Sequence, residues 1–256
     1  MCATAVHPEV RVEIFCVPPQ AARKVAESLG SGVVEYDAQT GTLLIPALMH
    51  DVSWEQYELL LETLPDHRMR HTYDQGTLEM MSPLQRHESI KGMIGRLIET
   101  LAYELDLPIK SVGSTTQRRK AVRRGLEPDE SYYVAHESLM RGRLDYDPDR
   151  DPPPDLVVEV DLRRPAVERM TIYAALGVPE IWRHDGKSKL FFYRLTSGKY
   201  ESIEHSDAFE FLAPDDVSAF IDQMGELDEN SIVRSFVKRA LAKKAERRNP
   251  RKKKRP

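Results

Sequence analysis

The sequence is poor in cysteine. Its 256 residues include two, Cys2 and Cys16. Two thiols in one weakly patterned leader make neither a zinc site nor a disulfide framework. No run of about 18 apolar residues occurs, so no membrane-spanning helix is expected. The opening, "MCATAVHPEVRVEIFCVPP", has neither the basic start nor the apolar stretch of a secretory signal. A reduced, cytoplasmic protein is the expectation. The G-x-x-x-x-G-K-[ST] phosphate loop, the Rossmann glycine fingerprint and zinc-ligand spacing are all missing, which excludes the common nucleotide-cofactor classes. No internal repeat is visible.

What is present suffices for one sizeable core with a small appendage: 41% of the residues are hydrophobic and 30% charged. The net charge of −4 conceals an asymmetry. From Arg234 to Pro256 there are twelve Lys or Arg against one acid, Glu246, a net +11; the rest of the chain therefore carries −15. A basic end on an acidic body suits a polyanionic partner. A solvated, solubilising tail has the same composition, and both readings stay open.

Alternation in "GVVEYDAQTGTLLIPAL" predicts a hairpin around Thr40-Gly41. "SWEQYELLLETL" reads as a helix capped by Ser53 with Gln56 in the reciprocal position. Trp54, Tyr57, Leu60, Leu61 and Leu64 share one of its faces. "RMRHTYDQGTLEMMS" reads as a hairpin, and Ser82 and Pro83 open a long helix. On that helix Ile90, Met93, Ile94, Leu97, Ile98, Leu101 and Leu105 keep helical spacing. A strand over 109–116, a basic loop, the strand "EPDESYYVA", an acidic Pro-rich loop over 136–154 and the strand "DLVVEVDL" follow. The spacing then predicts a helix over 165–176 closed by Gly177, three more strands, and helices over 214–225 and 230–247. Helix, three strands, helix, strand is an α/β order with a mixed sheet.

The strand from Leu156 to Leu162 carries acids in its middle. Alternation puts Leu156, Val158, Val160 and Leu162 on one face and Asp155, Val157, Glu159 and Asp161 on the other. A buried carboxylate needs a cation or a donor. Asp155 and Glu159 lie about 13 Å apart along a strand, too far to share one metal, whereas Glu159 and Asp161 lie about 6.6 Å apart. Asp155 reads as a cap at the strand's start. A second acid for Glu159 must come from a neighbouring strand, and Asp129 in "EPDESYYV", with Glu127 two residues before it, is the candidate. An Asp and a Glu on adjacent strands suit magnesium or manganese, which take oxygen ligands and keep several waters. Asp129 and Glu127 also fit as plain turn residues.

"EPDESYYV", "PDLVVEVDL", "IYAALGVPEIWRHDG", "YDQGTLEMMSPLQRHESI" and "VGSTTQRR" together resemble the Uma-two family of restriction-endonuclease-like proteins, in the PD-(D/E)XK nuclease superfamily. The resemblance runs from about residue 68 to 206. It implies a restriction-endonuclease-like core, a mixed β-sheet flanked by helices. It also implies a metal-binding Asp129 and Glu159, with Mg or Mn as the cofactor. The superfamily's Lys two residues past the Glu is replaced here by Asp161. The family's alternative Lys position on the next helix holds Arg169, which keeps the positive charge but cannot act as a base. By the same resemblance His87 borders the active site, and Glu79 is a further ligand or a partner for Arg169. The implied organisation is an N-terminal extension with a helix and hairpin (1–50), a nuclease domain (51–228) and a basic C-terminal helix and tail (229–256).

"QRRKAVRRG" gathers Arg118, Arg119, Lys120, Arg123 and Arg124 into one loop suited to a phosphate backbone; a solvated loop is the alternative. The function the resemblance implies is metal-dependent hydrolysis of DNA phosphodiesters, leaving 5'-phosphate and 3'-hydroxyl ends. Because many superfamily members cut as dimers, a homodimer is compatible. Arg169 and Asp161 favour an alternative, a catalytically impaired nucleic-acid-binding protein using the nuclease fold and basic tail. A third reading has the acids in buried ion pairs with Arg169 and Arg183.

Overall fold

Caps and turns set most of the element boundaries. The Ser53 hydroxyl accepts from the Gln56 amide at 3.1 Å while the Gln56 side chain accepts from the Ser53 amide at 2.7 Å, the expected capping box. Gln75 and Gly76, and again Ser197 and Gly198, take positive φ at the tips of two hairpins. The computed structural model describes residues 11–14, 17–30, 33–64, 69–81, 84–162 and 165–248. Cys2, Cys16, Ser82 and Pro83 and the basic run beyond residue 248 lie outside the described residues. The chain divides into two units.

The first unit comprises Met1–Pro83, Arg118–Glu127 and Pro165–Ile172. It begins with β1 (Arg11–Ile14), α1 (Pro19–Leu29), β2 (Glu35–Asp37), β3 (Thr42–Pro46), β4 (Leu48–Met49), α2 (Trp54–Thr63), β5 (Arg70–Asp74) and β6 (Thr77–Met81). The expected basic loop is instead structured as β8 (Gln117–Arg119), a 3-10 turn over Lys120–Val122 and β9 (Arg124–Leu126). Strand order is β1-β3-β2 in one sheet and β4-β6-β5-β9-β8 in the other. The core holds Leu43, Ile45, Trp54, Tyr57, Leu60 and Tyr73. Tyr57 stacks on Tyr73 with ring centroids 4.6 Å apart.

The second unit comprises Leu84–Gln117, Pro128–Arg164 and Tyr173–Pro256. It contains α3 (Gln85–Glu104), β7 (Lys110–Ser111), β10 (Glu130–Tyr133), α4 (Glu137–Met140) and β11 (Leu156–Val160). The division falls within α5 (Arg169–Leu176), and β12 (Glu180–His184), β13 (Leu190–Thr196), β14 (Lys199–Ile203), α6 (Pro214–Ile221) and α7 (Glu229–Arg248) complete it. One six-stranded sheet runs β14-β13-β12-β11-β10-β7. β7, β10 and β11 are antiparallel, and β11 pairs in parallel with β12 across the α5 crossover. This is the helix, three strands, helix, strand order expected, in a mixed sheet. Its main core joins Ile94, Leu97, Leu101, Leu156, Val158, Trp182, Phe192 and Phe236.

Several boundaries differ from the sequence reading; α6, expected over 214–225, ends at Ile221. The strand expected over 109–116 shrinks to β7, because the chain turns at Gly113, with φ +55, and Thr115 bonds back to the Val112 carbonyl. The helix expected from Pro165 starts at Arg169, because the Ala166 and Val167 amides donate to the Glu79 carboxylate. The acidic loop over 136–154 contains α4.

Candidate active site

β11 is buried along its whole length. Leu156, Val158 and Val160 enter the main core, as alternation requires. Glu159 faces the other way and is 4% exposed. A carboxylate so placed needs a donor. The Tyr173 hydroxyl, on α5, donates to Glu159 Oε1.

The antiparallel register pairs Glu130 with Val158 and Ser131 with Val157. One step further along that register sets Asp129 opposite Glu159. Asp129 lies just outside the ladder and reaches back to it: its Oδ2 accepts the Val160 amide at 2.7 Å. The same oxygen is 3.0 Å from His87 Nε2, at the start of α3. His87 Nδ1 is 3.0 Å from Glu88 Oε1. With a carboxylate at each ring nitrogen, the imidazolium satisfies both. Burial works against that charge, but the hydrogen bond and charge of Asp129, and then of Glu88, outweigh it and raise the His87 pKa.

Asp161 sits past the end of β11 and accepts from Arg183 Nε. The parallel register places Arg183 beside Glu159. Part of the third reading, an acid paired with Arg183, therefore describes Asp161. The turn after β12 is held against this segment by Gly186, at φ +70. A Cβ there would lie 2.3 Å from the Asp161 carbonyl oxygen. Asp155 caps the strand's start as expected, its Oδ2 accepting the Val134 and His136 amides at 2.8 and 2.9 Å.

Glu79 and Arg169 belong to the first unit. Glu79 accepts the Ala166 and Val167 amides at 2.9 and 3.0 Å, so its partners are backbone donors rather than Arg169. Arg169 donates to Thr72 Oγ1 at 2.9 Å and to the Glu127 carbonyl at 2.6 Å. In the basic segment Arg118 faces Glu58 at 3.7 Å, Lys120 faces Glu55 at 3.3 Å and Arg124 bonds Asp74 at 2.7 Å. Much of the charge assigned to phosphate contact is thus met inside the unit. Arg123 closes the 3-10 turn in the left-handed conformation, and Arg119 lies on β8.

The second unit therefore brings Asp129, His87 and the Val160 amide together, and sets Glu159 between Tyr173 and Arg183. Among the described residues no group of three or more His, Cys, Asp or Glu forms a ready metal cage. Sequence reasoning missed Tyr173 and underused Arg183. The parallel β11–β12 register carries the signal for Arg183. For Tyr173 there is none, since it lies 14 positions from Glu159.

A family model described as "Putative restriction endonuclease", Uma2, matches residues 54–222, and the chain belongs to that family. One solved structure similar to it is a "putative nuclease belonging to DUF820" from Anabaena variabilis ATCC 29413. Identity is 15%, the TM-score is 0.44, and the match covers 73% of this chain and 99% of that one. No curated protein matches the sequence. Among the described residues no helix is long and apolar enough to cross a membrane.

Proposed function

We propose that the protein is a metal-dependent endodeoxyribonuclease whose divalent cation, magnesium or manganese, is held by Asp129 and Glu159. The observation that carries the reading is the β10–β11 register, which sets those two acids opposite each other in a family described as restriction endonucleases. The donor set fits the cation: two carboxylates on neighbouring strands are hard oxygen ligands, and magnesium keeps most of its own water. When bound, such a cation supplies positive charge facing a phosphate and acidifies water.

The chain's own residues have definable tasks. Tyr173 holds the Glu159 carboxylate by one oxygen, and His87 with the Val160 amide holds Asp129 by one oxygen. Arg183 holds Asp161.

The test is cleavage of plasmid and single-stranded DNA with magnesium or manganese, beside Glu159→Ala. Wild type should cut only with metal and leave 5'-phosphate ends, and the variant should lose activity by at least about a hundredfold. Equal trace cutting by both proteins would assign the activity to a contaminant and end this reading.

A further inference from the structure

The helix α7 has two faces of opposite character. Inward, Ile232, Val233, Phe236, Val237 and Ala240 join the core of the second unit. Further contacts fix its setting. Arg96 bonds Glu229 and, at 2.7 Å, Asn230; Lys243 bonds Asp216; Lys244 lies 5.9 Å over the Phe211 ring. Outward, Arg234, Lys238 and Arg239 are exposed, with Ser235, Ala242 and Ala245 on the same face and one acid, Glu246. Among the described residues Lys238 and Arg239 show no acidic partner; Arg234 donates to Ser231 Oγ at 3.0 Å and its charge helps to lower the Asp228 pKa, after the hydrogen bonds from Ser231. At 1.5 Å per residue these three cations span about 7.5 Å of helix. The sequence continues into five further cations, Arg251 to Arg255.

We propose that this outward face of α7 is a docking surface for the phosphate backbone of a nucleic acid. Three observations favour that partner. Outside residues 234–256 the chain carries −15, so the cations of α7 belong to the one strongly basic stretch of an otherwise acidic chain. The exposed side chains of α7 include no large apolar residue, so the helix lacks the apolar face that an interfacial membrane helix buries in lipid. Lys238 and Arg239 have no acidic partner among the described residues and stand exposed on one side of the helix, where a phosphate backbone can reach them. Docking here is independent of the proposed cleavage: a chain unable to hold metal still binds.

The test uses the full chain without metal and a labelled duplex, read by fluorescence anisotropy across a salt series. Wild type should bind with a log affinity that falls steeply with log salt. The triple variant Arg234→Glu, Lys238→Glu, Arg239→Glu should bind at least about tenfold more weakly at low salt. Its slope should be shallower by about 2 to 3, near 0.9 per lost phosphate contact. Thermal unfolding should be unchanged, since all three side chains are exposed. Glu159→Ala should bind as wild type does, which separates failure of docking from failure of cleavage. A charge-matched control, Arg23→Glu, Lys24→Glu, Lys199→Glu, alters exposed residues elsewhere. An equal loss in that control would overturn the assignment to α7. So would an unchanged slope in the triple variant, or wild-type binding to anionic phospholipid vesicles in place of DNA.

Discussion

Two single residues near the candidate site have measurable consequences. Gly186 is the contact that lets the turn after β12 lie on the Asp161 backbone. In Gly186→Ala the new Cβ meets a carbonyl oxygen at 2.3 Å on a backbone with φ +70. Backbone on both sides cannot yield as a side chain would. We expect a loss of at least about 2 kcal/mol in urea unfolding, from overpacking and left-handed strain together. His184, two residues earlier, is fully buried. Its Nδ1 accepts the Gly186 amide at 3.0 Å. Burial lowers its pKa, so the folded state keeps it neutral. Below the unfolded value of about 6.5 the unfolded chain binds the proton and the folded one does not. Stability is therefore full above that pH and declines as pH falls toward the folded pKa, by up to about 1.4 kcal/mol per pH unit. His184→Gln should flatten that decline in denaturation midpoints measured from pH 7 to 5. An equally steep decline in the variant would put its origin elsewhere.

At the scale of elements, α7 shows why a basic segment need not be a loose tail. Its inner stripe is part of the core, so Phe236→Ala should cost about 3 to 5 kcal/mol. The exposed Arg239→Ala should stay within about 0.5 kcal/mol. Chemical denaturation of the two variants side by side checks the contrast. It follows that removal of residues 234–256 would strip Phe236, Val237 and Ala240 from the core and unfold the helix, whereas removal of residues after Arg248 leaves the inner stripe intact. The regular elements were legible where a pattern repeats. The α3 positions from Ile90 to Leu101 are all buried at the expected spacing, and the α2 capping box forms as read. Elements failed to be legible where a distant partner intervened. The start of α5 is set by Glu79, 87 positions before Ala166. The basic segment folds as strands because β9 pairs with β5 and its cations meet Glu55, Glu58 and Asp74.

For the molecule as a whole, the proposed cation links the site to global stability. Anything that binds the folded chain alone stabilises it, by about 2.7 kcal/mol at a hundredfold excess over Kd. Manganese should therefore raise the melting temperature of the wild type. Asp129→Asn and Glu159→Gln should remove the rise, since each takes away a charged ligand. A scanning-calorimetry series with and without manganese checks this, and an identical rise in both variants would move the metal away from these acids. By itself the sequence determined the helix, three strands, helix, strand order of the core, the acids at positions 129 and 159, and the charge imbalance between body and end. Those are local or additive properties: periodicity, capping and composition need no knowledge of what lies across space. Only the tertiary structure decided that Asp129 meets His87 and the Val160 amide, that Tyr173 holds Glu159, and that Arg183 takes Asp161. Such contacts join residues far apart in the chain, and strand register and helix docking select them through the burial of the whole core.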